Sequence, residues 1–159
     1  LDLTDELDIE GSGPTAKIIM TQRKPGFGFI IDGDLRAQLV KALGISENDL
    51  ISDLPIQVVD AGNSKIMIPI KSEKQLNALT PDMDALIAIS AAATCGGHFV
   101  FTIKYNNGKI ETFGRMFGPA IGIPEDPVTG NANGPAGAYM ARYGLLKFDE
   151  SITYLGHQG

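Results

Sequence analysis

With 159 residues, 43% of them hydrophobic, the chain is long enough for a single domain with a sizeable core. Its formal net charge of −6 argues against a nucleic-acid surface or an anionic membrane as partner, so any anionic ligand must be met by local donors such as a helix N-terminus. The single cysteine, Cys95, excludes an internal disulfide and fits a reducing cytoplasm, and the acidic opening LDLTDELDIE lacks the basic segment of a signal peptide.

After the acidic start, GSGPT breaks the chain and AKIIMTQ reads as a short strand. KPGFGFIIDG is rich in Gly and Pro and reads as a connector. Its Gly26 and Gly28 lack the third glycine and the strand-to-helix setting of a dinucleotide loop. In GDLRAQLVKALG, Leu35, Leu39, Val40 and Leu43 share one face, so a surface helix is expected, with Asp34 as N-cap and Gly44 as stop. IQVVDAG and KIMIPI read as strands around a turn at Gly62-Asn63, and Lys71, Glu73 and Lys74 as a solvated face. TPDMDALIAISAAA opens a second helix, with Thr80 as N-cap and Pro81 at the first helical position.

Residues 85 to 103 carry no Asp, Glu, Lys or Arg and approach the length of a membrane span. Ala dominates the first half, Gly96-Gly97 interrupts, and the second half alternates, so the reading is a buried helix, a turn and a core strand. HFVFTIKYNNGKIETFGRMF then reads as a hairpin about Asn107-Gly108, and SITYL as a last strand. Strands outnumber helices and come in pairs, which favours an α+β layout over a doubly wound sheet. The chain begins at Leu1 rather than Met and stops at GHQG. Neither end reads as a natural terminus, and a piece of a longer protein is expected.

The stretch GIPEDPVTGNANGPAGAYMARYG, residues 122 to 144, carries the most chemistry. From Pro127 to Ala141 there is no charged residue, and the run after Gly130 is built of small side chains with Met140, Tyr139 and Tyr143. A helix apolar all round has no solvent face and should be buried. Pro135 is best tolerated in a first turn, which places the helix start near Asn131 to Asn133 with one of these Asn residues as N-cap, and Gly144 supplies the stop. The preceding backbone would then aim unpaired N–H groups at one point with the positive helix end behind them, an anion cradle with Asp126 at its rim. Glu125-Asp126-Pro127 is equally readable as a capping turn that merely starts a helix.

RMFGPAIGIPEDPVTGNANGPAGAYM resembles the C-terminal signature of the PhzF phenazine-biosynthesis family, Arg-x-Phe-x-Pro followed by Glu-Asp-Pro-x-Thr-Gly-Ser-Ala. The matching positions are Arg115, Phe117, Pro119, Glu125, Asp126, Pro127, Thr129, Gly130 and Ala132. VVDAGNSKIMIPIKSEKQLNALTPDMDAL is also similar to the family in its order of a Gly turn, a strand and a Leu-x-x-Leu-x-Pro-Asp helix entry. The resemblance implies the diaminopimelate-epimerase-like fold, two domains each with a β-barrel-like shell around a central buried helix, and a substrate held between them. It implies proton transfer without metal or organic cofactor, with Asp126 in the active site and backbone N–H groups at Gly130 and Asn131 holding an acidic substrate. Thr129, Ala132 and Arg115 join that set as substrate-binding candidates.

Two departures accompany the resemblance. Asn131 stands where the family has Ser, so a hydroxyl is lost while backbone donation survives. The family's principal acid/base Glu and its Cys-Gly-His element belong to a first domain of which residues 1–20 would be only the tail, with 21–159 the C-terminal domain lacking its closing strand. TCGGH, with Cys95 and His98, imitates that element or a metal pair, but it precedes a core strand, and His157 is the only other histidine; a buried structural Cys is the better reading. The expectation is therefore a cofactor-independent isomerase acting on a small acidic metabolite, catalytically incomplete as this chain alone. It would pair as a homodimer or with the missing N-terminal portion. The alternatives are a non-catalytic ligand-binding or assembly module, and an amino-acid epimerase or racemase, which would want Cys where Asn131 stands.

Overall fold

The structure, a computed structural model, describes residues 6–147 and 151–159; the first five residues of the expected N-terminal tail lie outside them. Two strands, β1 (Glu6–Glu10) and β2 (Lys17–Thr21), form an antiparallel hairpin of their own. The rest is one seven-stranded mixed sheet. Its order is β3 (Gly26–Ile30), β4 (Gln57–Asp60), β5 (Lys65–Pro69), β6 (Gly97–Asn106), β7 (Lys109–Gly118) and β8 (Ile123–Asp126), and β9 (Leu155–Gln158) runs parallel to β7 beside β8. Only β5–β6 and β7–β9 are parallel. A parallel pair cannot be joined by a tight turn, and the β5–β6 crossover carries α2 (Glu73–Asn77) and α3 (Met83–Ala93). The α+β class expected from the sequence is observed. Among the described residues the sheet is open, running from β3 to β8 without closing on itself.

Strand alternation gives the sheet two buried faces. Ile66, Ile68, Val100 and Phe117 point to one side, where α1 (Gly33–Ala42), α2 and α3 cover them with Leu39, Leu43, Leu76, Leu86 and Ile89. Val59, Met67, Phe99, Phe101 and Met116 point to the other side, against Ala132, Ala136, Tyr139 and Met140 of α4 (Gly130–Arg142). Each large side chain so covered contributes about 1.5–3 kcal/mol. The buried Tyr139 and the half-buried Tyr143 keep their hydroxyls satisfied: Tyr139 donates to the Pro55 carbonyl at 2.6 Å and Tyr143 to Gln57 Oε1 at 2.7 Å.

The central helix α4 is buried on one side only: Ala132, Pro135, Ala136, Tyr139 and Met140 are covered, while Gly130, Gly134 and Arg142 are exposed. The all-round burial expected from its composition is therefore not observed, and what covers it is not the sheet alone. Gln22 lies so close to Gly134, and Tyr154 so close to Gly137, that a Cβ on either glycine would collide with them. Its start differs from the expectation. The helix begins at Gly130 with Thr129 as N-cap, so Pro135 lies inside it, a turn beyond the predicted limit. Proline there removes the N–H that the Asn131 carbonyl would otherwise receive, loosening the first turn from the rest of the helix.

Other differences are local. The expected connector at 24–33 contains β3, because Phe27 pairs with Val59 on the edge of the sheet. The α1 cap is Asp32, not Asp34, and α3 starts at Met83 with Asp82 as cap, two residues beyond Thr80. Glu73 opens α2 and pairs with Lys104 rather than standing free in solvent. The last strand lies at Leu155–Gln158 and shares only Leu155 with the predicted SITYL segment. The hairpin of β6 and β7 turns at Asn107 (φ 50°) and Gly108 (φ 76°), the two left-handed residues a tight hairpin demands. The charge-free stretch 85–103 splits into α3 and β6, and among the described residues no helix is long and apolar enough to cross a membrane.

Candidate functional site

A cleft of about 140 Å³ opens in front of the α4 N-terminus, lined by Asn63, Lys65, Met116, Gly118, Ile121, Ile123, Asp126, Thr129 and Asn131. Three regions supply its polar residues: β8 delivers Asp126 at its last position, the β4–β5 turn and the first residue of β5 deliver Asn63 and Lys65, and the start of α4 supplies Thr129 and Asn131. β7 and the turn after it add Met116, Gly118 and Ile121.

The turn from Asp126 to Thr129 is heavily tied. Asp126 Oδ1 accepts from the Val128 N–H at 3.1 Å and Oδ2 from the Thr129 hydroxyl at 2.7 Å. Gln158 of β9 clips the same turn: its Nε2 donates to the Asp126 carbonyl at 2.6 Å and to Thr129 Oγ1 at 2.9 Å, and its Oε1 accepts from the Thr129 N–H at 3.2 Å. Tyr154 and the Asn133 side chain brace the first turn behind it, through the Asn133 and Thr129 carbonyls respectively. Gln22 holds the Gly130 carbonyl at 3.0 Å. The Asp126 carboxylate is therefore fixed in direction.

Because the Thr129 hydroxyl is spent on Asp126, it does not cap its own helix. Gly130 and Asn131, the first two helical residues, carry N–H groups that no carbonyl of the helix receives, and the helix dipole adds positive potential there. The Ala132 N–H differs: it donates to the Thr129 carbonyl at 3.1 Å. Ala132 itself is buried in the core beneath the cleft. Arg115 is not in the cleft. Its side chain points to the α1–α3 face, where it grips Glu125 through two bonds of 2.7 and 2.8 Å and donates to the Leu76 and Leu79 carbonyls. Of the six residues singled out by sequence, Asp126, Thr129 and Asn131 line the cleft, Gly130 adjoins it, and Ala132 and Arg115 support it from other positions.

Sequence reasoning missed Asn63, Lys65 and Gln158. Asn63 and Lys65 read as a turn and a strand residue, and only the register of β5 against β4 and β6 turns Lys65 to the α4 face. Lys65 is 1% exposed. Burial pushes its amine below the usual lysine range, and Asp60, Cys95 and Asp126 oppose that shift. Gln158 lies near the chain end, with no local pattern to mark it.

Cys95 is a half-buried free thiol, pushed up by burial, and His98 is fully buried. Neither lines the cleft. Among the described residues no cluster of three or more His, Cys, Asp or Glu is placed to hold a metal ion.

The profile of the family described as phenazine biosynthesis-like protein (PhzC-PhzF) matches residues 7–159. The chain belongs to this family. It is 48% identical over 152 residues to the uncharacterized isomerase YddE of Escherichia coli, covering 95% of this chain and 50% of that protein. It is 34% identical over 124 residues to the trans-2,3-dihydro-3-hydroxyanthranilate isomerase of Pseudomonas fluorescens, covering 75% of this chain and 38% of that one. The crystal structure of a PhzF-family phenazine biosynthesis protein from Bacillus anthracis superposes with a TM-score of 0.80 at 27% identity, over 96% of this chain and 51% of that chain. The chain thus spans about half the length of the relatives it matches.

Proposed function

We propose that the chain carries one half of the active site of a cofactor-independent PhzF-like isomerase, which shifts a proton on a small acidic metabolite. The observation that carries this reading is the Asp126 carboxylate held rigid at the mouth of a helix whose first N–H groups are left open. A substrate carboxylate would accept hydrogen bonds from the Gly130 and Asn131 N–H groups. Charge developing next to that carboxylate on loss of a neighbouring C–H proton would be stabilised by the same donors. Asp126 would take or return the proton, with Thr129 and Gln158 keeping its oxygens aimed. The net reaction moves one proton from one carbon to another and neither oxidises nor reduces the substrate.

A second carboxylate acid/base would come from a preceding domain, to which residues 1–20 belong as a tail, while residues 21–159 form the C-terminal domain. The separate β1–β2 hairpin supports this division, since it shares no strand pairing with the main sheet. Its exposed Ile9, Ile18, Ile19 and Met20, with Val128 at the cleft rim 78% exposed, form apolar surface of the kind that a neighbouring domain or a second copy covers. The same covering segment would complete a shell around α4, and the cytoplasm is the expected setting.

The test is solvent deuterium incorporation. The polypeptide encoded by the natural gene, its length established by intact mass and DNA sequencing, is incubated in D2O with small carboxylic acids, trans-2,3-dihydro-3-hydroxyanthranilate among them. Catalysed exchange at a carbon near the carboxylate of at least one acid is expected. Binding of acids without exchange at any carbon would sink the isomerase reading in favour of a ligand-binding module.

A further inference from the structure

A buried lysine without a carboxylate partner needs a reason, because an uncompensated charge in a core costs several kcal/mol. Lys65 is such a residue. It lines the cleft at 1% exposure, and its ammonium donates to the Asn63 carbonyl at 3.3 Å. Among the described residues it forms no salt bridge. An ammonium has three donors, so at least part of its capacity is unspent. Its surroundings are set by the fold: on β5, Lys65 pairs with Val59 and Gly97 and so projects to the α4 face, level with the entry to that helix. Its partner Gly97 makes room for Met116, another residue of the cleft wall, with which a Cβ there would collide.

The cleft offers more hydrogen-bond donors than acceptors to a ligand. Lys65 and the α4 N-terminus are positive, and Asp126 is the one acidic residue in the lining. Asp126 is already engaged by Val128 and Thr129. A ligand carboxylate would accept from the unspent donors of Lys65 and lie in the partial positive potential of the helix end. Resting on the proposed function for the identity of the cleft, we propose that Lys65 is the cationic positioning and specificity residue of the site. It receives a substrate carboxylate opposite the Gly130 and Asn131 N–H groups and thereby selects anions over neutral analogues of the same shape. The class of ligand is a small carboxylate with its charge within reach of both walls.

The experiment uses malonate, with malonamide as the neutral control, titrated into 15N-labelled protein while the Gly130 and Asn131 amide signals are followed. Malonate shifts both signals saturably and malonamide does not. Lys65→Met weakens malonate at least tenfold, whereas Lys71→Met, which removes an exposed lysine bonded to the Asn48 carbonyl, leaves the affinity within twofold. If Lys65→Met fails to fold, the wild-type protein decides by pH. Malonate keeps its charge above pH 7, and burial lowers the Lys65 amine below the usual lysine range, so malonate affinity falls as the pH rises and Lys65 loses its proton. The other charged or titratable groups facing Lys65 are Asp60, Asp126 and Cys95, and Cys95→Ala controls for the thiol. Affinity unchanged in Lys65→Met, or flat to pH 10.5, overturns the proposal, as does malonate binding elsewhere than at these amides. Malonate binding without deuterium exchange on any acid would defeat the isomerase reading alone.

Discussion

Helices α3 and α4 lie on opposite faces of one sheet and begin in opposite ways. At the start of α3, the Asp82 carboxylate accepts from the Ala85 N–H at 3.0 Å, and a cap of this kind closes the helix end for good. At the start of α4, the cap residue Thr129 turns its hydroxyl away to Asp126 and leaves the end open. The face around α3 is aliphatic and closed. The face around α4 ends in a cleft bearing a carboxylate, a buried lysine and free N–H groups. The difference separates a helix terminus closed by its own cap from one whose cap side chain is turned elsewhere, and the proposed function takes the second as the ligand's seat.

The largest break in this comparison comes from Asp126→Asn. It keeps the shape of the turn and one acceptor, yet removes the proton-handling group. Deuterium incorporation should fall about 10²–10⁴-fold. A loss below tenfold would place the chemistry elsewhere and leave Asp126 as a capping-turn residue.

On the α3 face the expected large effect is on stability and comes from acid. Burial, with only the Phe117 backbone opposing, pushes the His98 imidazole down to about 4. An unfolded histidine titrates near 6.5, so between these values the unfolded chain binds the proton and the folded one does not. Stability is therefore fully present above pH 6.5 and is lost as the pH falls toward 4, by about 3 kcal/mol for this shift. Urea unfolding at pH 7, 5.5 and 4.5 measures the slope, and His98→Gln should flatten it. An unchanged slope would mean that other groups carry the acid sensitivity.

Arg115 joins the two regions, and Arg115→Met sharpens the line between them. The guanidinium ties β7 to Glu125 of β8 and to the Leu76 and Leu79 carbonyls after α2. Its removal orphans two carbonyls and a carboxylate, costing about 2 kcal/mol. Malonate affinity should stay within threefold, since the side chain points away from the cleft. A tenfold loss in affinity without loss in stability would make Arg115 a ligand residue after all.

What could be read from the sequence divides along the same line. The hairpin about Asn107-Gly108 and the strands on either side of Gly62-Asn63 follow from local pattern, and the structure contains them, whereas the small-residue helix α4 is buried on one side only. The Asp126–Asn131 segment was visible as a dense motif, and it does lie at the cleft. Lys65 was not visible, because a lysine in an apolar strand looks the same whether it faces solvent or a cleft; register alone decides. Gln158 was missed because its three bonds reach back some 29–32 residues in sequence. The α4 start was misplaced because Pro135 usually marks a first turn. Here the segment is held from outside, by Gln22, Tyr154 and Gln158, strongly enough to keep a proline further in.

The smallest predicted effect is the most direct test of the two helix ends. Asp82→Ala removes the α3 cap and nothing else that the cleft depends on. The Ala85 N–H then turns to water, and the helix frays at its first turn, costing about 1 kcal/mol. Thermal unfolding should show a drop of a few degrees, with malonate shifts at Gly130 and Asn131 unchanged. The reverse change, a carboxylate placed to cap α4 by Thr129→Asp, would put a negative group where a ligand carboxylate is expected. It should weaken malonate binding, and, because it replaces the hydroxyl that donates to Asp126 by a second carboxylate, it should not raise stability. If Thr129→Asp bound malonate as well as the wild type, the open α4 terminus would not be the ligand's seat, and the contrast between the helices would be one of capping style alone.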